Sequence, residues 1–235
     1  MKRAVLSWSS GKDAAWALHL ARSSGNLEII GLLSTINAAF QRVSMHGVRR
    51  RLLELQAQAL GLPLIPVELP WPCSNQQYEH HMAAACAALR ARGAEAVVFG
   101  DIFLSDVRRY REQQLAATGL EPVFPLWGLD TRSLVHDMIQ AGVRARIACL
   151  DPARLPRHFA GAELTLELLR GLPEDVDPCG ENGEFHTFVF DAPGFSQPLQ
   201  ITPGDTIERD GFLYADLLPA SGPAPRCYND GCTGP

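Results

Sequence analysis

Apolar positions in the first half of the chain fall into two alternating patterns. Short runs at Arg3 to Trp8, Glu28 to Thr35, Leu64 to Leu69 and Glu95 to Phe99 have the length and flanks of buried strands. Longer segments with helical spacing lie between them. Gly11 to Ser24 places Ala14, Ala15, Leu18 and Ala21 on one face, and Val48 to Leu60 ends at Gly61 and Pro63. Asn75 to Arg92 is closed by Gly93, and Ser105 to Thr118 by Gly119. Strand and helix in strict turn predict right-handed crossovers and an α/β fold, a doubly wound and mainly parallel sheet with helices on both faces. Ligands of such sheets bind beyond the carboxyl ends of the strands. Those ends carry Ser9-Ser10-Gly11, Thr35-Ile36-Asn37 and Gly100-Asp101.

The pattern changes after about Trp127. A helix at Arg132 to Ala141, a strand at Val143 to Leu150, a helix at Ala162 to Leu169 and a strand at Phe185 to Phe190 follow. Asp210-Gly211, between Thr206-Ile207 and Phe212-Leu213, is a hairpin signal. These features predict a first domain over residues 1–127 and a smaller α+β domain over 128–220. The Gly/Pro-rich tail, 221–235, is expected to be loosely ordered.

Composition narrows the partners. The chain is 46% hydrophobic and 20% charged, as expected for a soluble globular protein. Its 235 residues are enough to bury a sizeable core. A net charge of -5 gives no general attraction to nucleic acid or to an anionic membrane. No apolar run approaches a membrane span, and Met1-Lys2-Arg3 precedes too short an apolar stretch for a signal peptide. A cytoplasmic protein is expected. The six cysteines form no close pairs of the kind that bind zinc, and Cys86 and Cys149 read as reduced core thiols.

Candidate chemistry begins at Ser9-Ser10-Gly11-Lys12-Asp13. Backbone N–H groups of a strand-to-helix turn and the open end of the helix together make an anion site. Lys12 adds positive charge, and Asp13 in the first helical turn can cap N–H groups or hold a metal ion. The spacing is not that of a Walker loop, and an ordinary capped turn fits the same five residues. Asp101 reads either as a ligand of a metal or a ribose, or as a helix cap. Arg108 and Arg109 read either as anion ligands or as a solvated helix face. Glu181 and Glu184 flank Asn182-Gly183; carboxylates so spaced can hold an ammonium ion or act as a base towards it, and a polar turn is the alternative. His46 falls in the loop after the second strand, near the expected cleft, and His80-His81 on a helix surface. Cys179 has no visible base and reads as structural. Trp127 reads as core or hinge packing.

Several of these segments carry a family resemblance. Leu6 to Ala14 resembles the Ser-Gly-Gly-Lys-Asp-Ser signature of the N-type ATP pyrophosphatases, or PP-loop enzymes. Four further stretches are similar to the diphthine–ammonia ligase family: Leu55 to Leu64, Gly100-Asp101-Ile102 with Arg108-Arg109 and Glu112, Pro125 to Gly128, and Gly180 to Thr187. The last resembles that family's Gly-Glu-Gly-Gly-Glu-(Tyr/Phe)-Glu-Thr element. Coverage runs from about Val5 to Leu218. Ser10 and Asn182 stand where the family has glycine, Ala14 where it has serine, and His186 where it has glutamate.

The resemblance implies ATP-dependent amidation. A carboxylate attacks the α-phosphorus, pyrophosphate leaves, and ammonia displaces AMP from the acyl-adenylate. ATP and Mg2+ are the implied cofactors, with the ion near Asp13. Lys12, Asp13, Glu181 and Glu184 become the implied catalytic groups. Ser9 to Asp13, Thr35, Gly100 and Asp101 are the implied nucleotide ligands. His46, Arg108, Arg109, Asn182, Gly183 and His186 are left to face the acceptor. Partners are ATP, ammonia from solution or another protein, and a carboxylate-bearing acceptor; membrane and nucleic acid are not expected, and a homo-oligomer is allowed. Two other readings stay open: a nucleotide-sensing module without chemistry, and an RNA-modifying PP-loop enzyme, against which the acidic balance and the missing cysteine pair argue.

Overall fold

The computed structural model of the chain describes residues 1–220; the expectation for the tail lies outside the described residues. Five strands form a parallel sheet: β1 (Lys2–Ser7), β2 (Leu27–Asn37), β4 (Leu64–Leu69), β5 (Ala96–Val98) and β6 (Glu121–Val123). Their spatial order is β4-β2-β1-β5-β6. The short β3 (Arg42–Val43) adds antiparallel to the far end of β2, on the edge that β1 leaves free. The interleaved helices are α1 (Lys12–Ser23), α2 (Arg50–Leu60), α3 (Asn75–Ala91) and α4 (Ser105–Ala116).

Period-two alternation in the strands gives the sheet two buried faces. Ala4 and Leu6 of β1, with Ala96 and Val98 of β5, join the core that receives α1 and α2. Val5 and Val97 point the other way, onto Cys86 and Leu89 of α3 and Leu115 of α4. Helices on both faces of a parallel sheet make the fold α/β and doubly wound, as the pattern predicts. Turn chemistry sets the ends. Gly61 closes α2 at φ 64, in the left-handed region, and Ser74 with Gln77 forms a capping box on α3.

The second part of the chain comprises α5 (Thr131–Gln140), β7 (Arg144–Leu150), α6 (Leu166–Arg170), β8 (Phe185–Asp191), β9 (Ile201–Arg209) and β10 (Phe212–Pro219). The strands form an antiparallel sheet of order β8-β7-β10-β9. Asp210-Gly211 makes the β9–β10 turn with both residues at positive φ, 51 and 83. The expected helix from Ala162 starts later, because Thr165 caps α6 by accepting from Leu168 N. Leu164 N donates to Ala145 O at 2.8 Å, and Glu163 bridges Arg146, so this stretch lies along β7. Pairing with a neighbouring strand overrode local helix propensity there.

The two sheets share one core. Phe188 of β8, Leu213 and Leu217 of β10, and Val135 of α5 are buried in the same cluster as Leu18 of α1 and Leu52 of α2. Val189 N of β8 donates to Ser10 O at 2.9 Å, so the second sheet is fastened to the loop that follows β1.

Candidate active site

The loop after β1 has a specific shape. Ser10 sits at φ 74, a left-handed conformation that favours glycine, and its side chain is buried. Its carbonyl accepts from Val189 N and, at 3.1 Å, from Gln56 Nε2. The same amide donates to Val189 O at 2.6 Å, and Gln56 Oε1 accepts from Trp8 Nε1 at 2.9 Å. One buried side chain of α2 therefore ties together the end of β1, the loop and β8. Gly11 is the N-cap of α1 without a side-chain cap, and a Cβ there would lie 3.2 Å from Thr187 O. Among the described residues, no hydrogen-bond acceptor engages the N–H groups of Ser9, Ser10 and Gly11.

Lys12 is buried at the head of α1. Its Nζ donates to both Asp13 carboxylate oxygens at 2.9 Å and to the Cys179 carbonyl, and its own N–H donates to Thr187 Oγ1 at 3.1 Å. Burial works against the ammonium, but Asp13 and the acidic groups around it outweigh burial and hold the pKa above the usual lysine range. The charge expected on this loop is thus present and already engaged by protein oxygens.

The remaining walls come from two other segments. β5 ends at Phe99-Gly100-Asp101. A Cβ on Gly100 would come within 2.9 Å of the Asp13 backbone, so only glycine lets β5 approach α1 this closely. Asp101 accepts from Arg111 Nε at 2.5 Å and Nη2 at 3.1 Å, and the guanidinium lies 4.6 Å from the Phe99 ring centre. Opposite lies the turn before β8. Gly180 at φ 70 and Gly183 at φ 85 shape it, and Asp177 Oδ1 accepts from the N–H groups of Cys179 and Glu181.

These elements enclose a cavity of about 220 Å³, lined by Ser9, Lys12, Asp13, His46, Gly100, Asp101, Arg111, Glu181 and His186. It lies at the carboxyl ends of β1 and β5, where such sheets bind ligands. Glu181 Oε1 accepts from Ile102 N at 2.8 Å. Burial pushes its pKa up to about 7, against the two backbone donors and with help from Asp13 and Asp101. His46 and His186 stack at 4.5 Å. Burial lowers them to about 3 and about 4, so both are neutral imidazoles. His46 Nδ1 is buried with no partner among the described residues. Cys179 lines the cavity as a thiol, because burial pushes it to about 12.

Other expected positions lie elsewhere. Glu184 is buried beneath the turn, where Oε1 accepts from Asp177 N at 3.0 Å and Asn182 Nδ2 at 3.1 Å; it does not line the cavity. Asn182 and Gly183 likewise shape the turn outside the lining. Thr35 is half-buried within β2, opposite Val67, and its carbonyl accepts from Ser44 N. Arg108 lies over the rings of Phe124 and Trp127, at 4.9 and 4.6 Å, and pairs with Glu112; Arg109 is exposed on α4. The cation of α4 that reaches the cavity is Arg111, three residues beyond Arg108. Helical spacing placed the two near one another, but only the packing of α4 shows which one faces in. Thr187 and Gln56 were within the segments that carried the resemblance, without an assigned role.

A parallel sheet with helices on both faces and a polar cleft at its strand ends defines a doubly wound α/β protein. Its kinship is more specific. A family model described as "Diphthamide synthase N-terminal domain" matches residues 1–122, and one described as "Diphthamide synthase C-terminal domain" matches residues 130–215. The chain belongs to the diphthamide synthase family. Diphthine–ammonia ligase of Danio rerio is 26% identical over 230 residues, covering 89% of this chain and 90% of that protein. The Homo sapiens enzyme of the same name is 24% identical over 239 residues, covering 89% and 86%. That of Schizosaccharomyces pombe is 31% identical over 118 residues, which is 48% of this chain and 20% of the longer protein. The family resemblance read from the motifs is thereby borne out.

Proposed function

We propose that this chain is an ATP-dependent ammonia ligase of the kind its relatives' name describes, activating a carboxylate as an acyl-adenylate. The observation that carries the reading is the Ser9–Gly11 loop, whose N–H groups meet no acceptor among the described residues at the open head of α1, beside the Lys12 ammonium. Such a cradle receives phosphate oxygens, and it stabilises the charge that develops as pyrophosphate leaves. In the first step a carboxylate oxygen bonds to the α-phosphorus while the bond to the β-phosphate oxygen breaks. In the second, ammonia bonds to the acyl carbon, the bond to AMP breaks, and one proton is released.

Glu181 is the group placed to take that proton. It lines the same cavity as the loop, is anchored by Ile102 N, and titrates near neutrality. Glu184 holds the turn that presents it, a positioning role. Among the described residues no group of three His, Cys, Asp or Glu side chains is disposed to hold a metal ion. The Asp13 carboxylate, which faces the cavity, is a hard oxygen donor and suits Mg2+ held by one carboxylate plus phosphate oxygens. Bound there, the ion would neutralise charge on the departing pyrophosphate. The test is product analysis with ATP, Mg2+, ammonia and candidate carboxylates. AMP and pyrophosphate are expected, with one oxygen of a labelled carboxylate found in AMP. ADP and phosphate as sole nucleotide products would end the reading.

A further inference from the structure

A second cavity, of about 380 Å³, lies beside the cleft, between the segments after β2 and β4 and the β9–β10 turn. Four aromatic side chains, Phe40, Trp71, Tyr78 and Tyr214, stand in its lining. Phe40 and Trp71 meet edge to face at 5.7 Å and are left 42% and 54% exposed, more than a folded chain commonly leaves for two adjacent large rings. The walls also carry two cations, Arg42 and Arg209. Arg209 rests its guanidinium 4.3 Å from the Phe40 ring centre and 5.6 Å from that of Trp71. Arg42 donates to Gly47 O at 2.7 Å and shares the Asp216 carboxylate with Arg49, so two cations divide one anion there.

The wall between this cavity and the cleft is the segment Ser44 to Gly47. Met45 and Gly47 line the aromatic cavity, whereas His46 between them lines the cleft. Left-handed backbone on either side of His46, φ 66 at Met45 and 68 at Gly47, turns neighbouring residues to opposite sides. The segment is clamped, because the Tyr214 ring lies where a Cβ on Gly47 would be, 2.6 Å away. This one segment therefore separates the two cavities.

Resting on the ligase reading above, we infer that this cavity binds the acceptor, and that the acceptor is a carboxylic acid with a flat apolar body. The rings cover the body, as apolar pockets with few polar groups do. Surplus positive charge at Arg42, beside the partition, complements the carboxylate, and Arg209 closes over the rings or yields its place to the ligand.

The probes are 4-phenylbutyrate, phenylacetate, acetate and the neutral phenylacetamide. Binding to the full chain is read by saturation-transfer NMR, and AMP formation is followed with ATP and ammonia present. The aryl acids bind, acetate does not, and the neutral amide binds more weakly than phenylacetate. Trp71→Ala weakens aryl-acid binding about tenfold or more, the loss expected for uncovering an aromatic face, and Trp71→Phe restores most of it. Equal binding of acetate and phenylbutyrate, or unchanged binding in Trp71→Ala, overturns the assignment. Acid-dependent AMP formation that ignores Trp71 overturns it while leaving the ligase reading in place. Trp71-dependent binding of aryl acids that yield no AMP overturns the cavity's role as the acceptor site, while AMP and pyrophosphate formed with another carboxylate keep the ligase reading.

Discussion

Glu181 lines the cleft with its carboxylate held by Ile102 N at 2.8 Å. Its backbone anchor favours the carboxylate, but burial beside Asp13 and Asp101 outweighs this and lifts its pKa to about 7. The folded protein therefore favours the protonated form, and its stability cost grows as pH rises from about 4.5, the ordinary glutamate value, to about 7. Glu181→Gln keeps the acceptor for Ile102 N and cannot ionise. The variant is expected to melt above wild type at pH 8 and to converge with it below about pH 4.5, which thermal denaturation across pH checks. If Glu181 takes the proton from ammonia, wild-type turnover rises with pH through about 7. In the glutamine variant that inflection disappears and the rate falls on the order of a hundredfold. The paired acids were plain in the sequence. That one faces the cavity and the other lies beneath it depends on the turn geometry set by Gly180 and Gly183, which no spacing rule supplies.

At the scale of elements, α2 does more than cover the sheet. The helix was legible from Val48 to Leu60, and Leu52, Leu53 and Leu60 form its buried face. Gln56 interrupts that face and is itself buried, because it satisfies Trp8 Nε1, Ser10 O and Val189 O together. Gln56→Leu leaves the indole N–H without its acceptor and two carbonyls short of a donor. Ser10 O keeps Val189 N as a donor, and each of the other two losses costs about 1–3 kcal/mol, so a total of about 2–6 kcal/mol is expected in urea denaturation. Nucleotide binding should weaken as well, since Ser10 is held in its left-handed conformation by these contacts. A variant that keeps both stability and nucleotide affinity would show that the loop needs no such tie.

At the scale of the molecule, the two sheets are joined around Asp216 of β10, which accepts from Arg42 at 3.0 Å and from Arg49 at 2.9 Å. Burial alone would raise its pKa, but the hydrogen bonds from Arg49 and Arg42 outweigh it and hold the carboxyl below the usual aspartate value of 3.8. A depressed pKa contributes stability above the unfolded-state value, and that stability is lost as pH falls through the folded one. Asp216→Asn is therefore expected to cost about 1–2 kcal/mol at neutral pH, the partial exposure of Arg49 limiting the effect. Its deficit should shrink below about pH 4. A deficit that stays constant from pH 7 to pH 3 would assign the loss to packing.

The sequence by itself determined the α/β alternation, the strand ends that bear Ser9 to Gly11 and Gly100-Asp101, the β9–β10 turn and the kinship. All of these rest on local periodicity, on turn residues with special backbone freedom, or on contiguous motifs. Tertiary structure decided the rest. It chose Arg111 over Arg108 and Arg109, placed Glu184 below the turn, drew Glu163 and Leu164 along β7, and set two histidines 140 positions apart face to face. Each of those outcomes depends on which distant segment supplies the neighbour, and burial and pairing between distant segments are not written in local spacing.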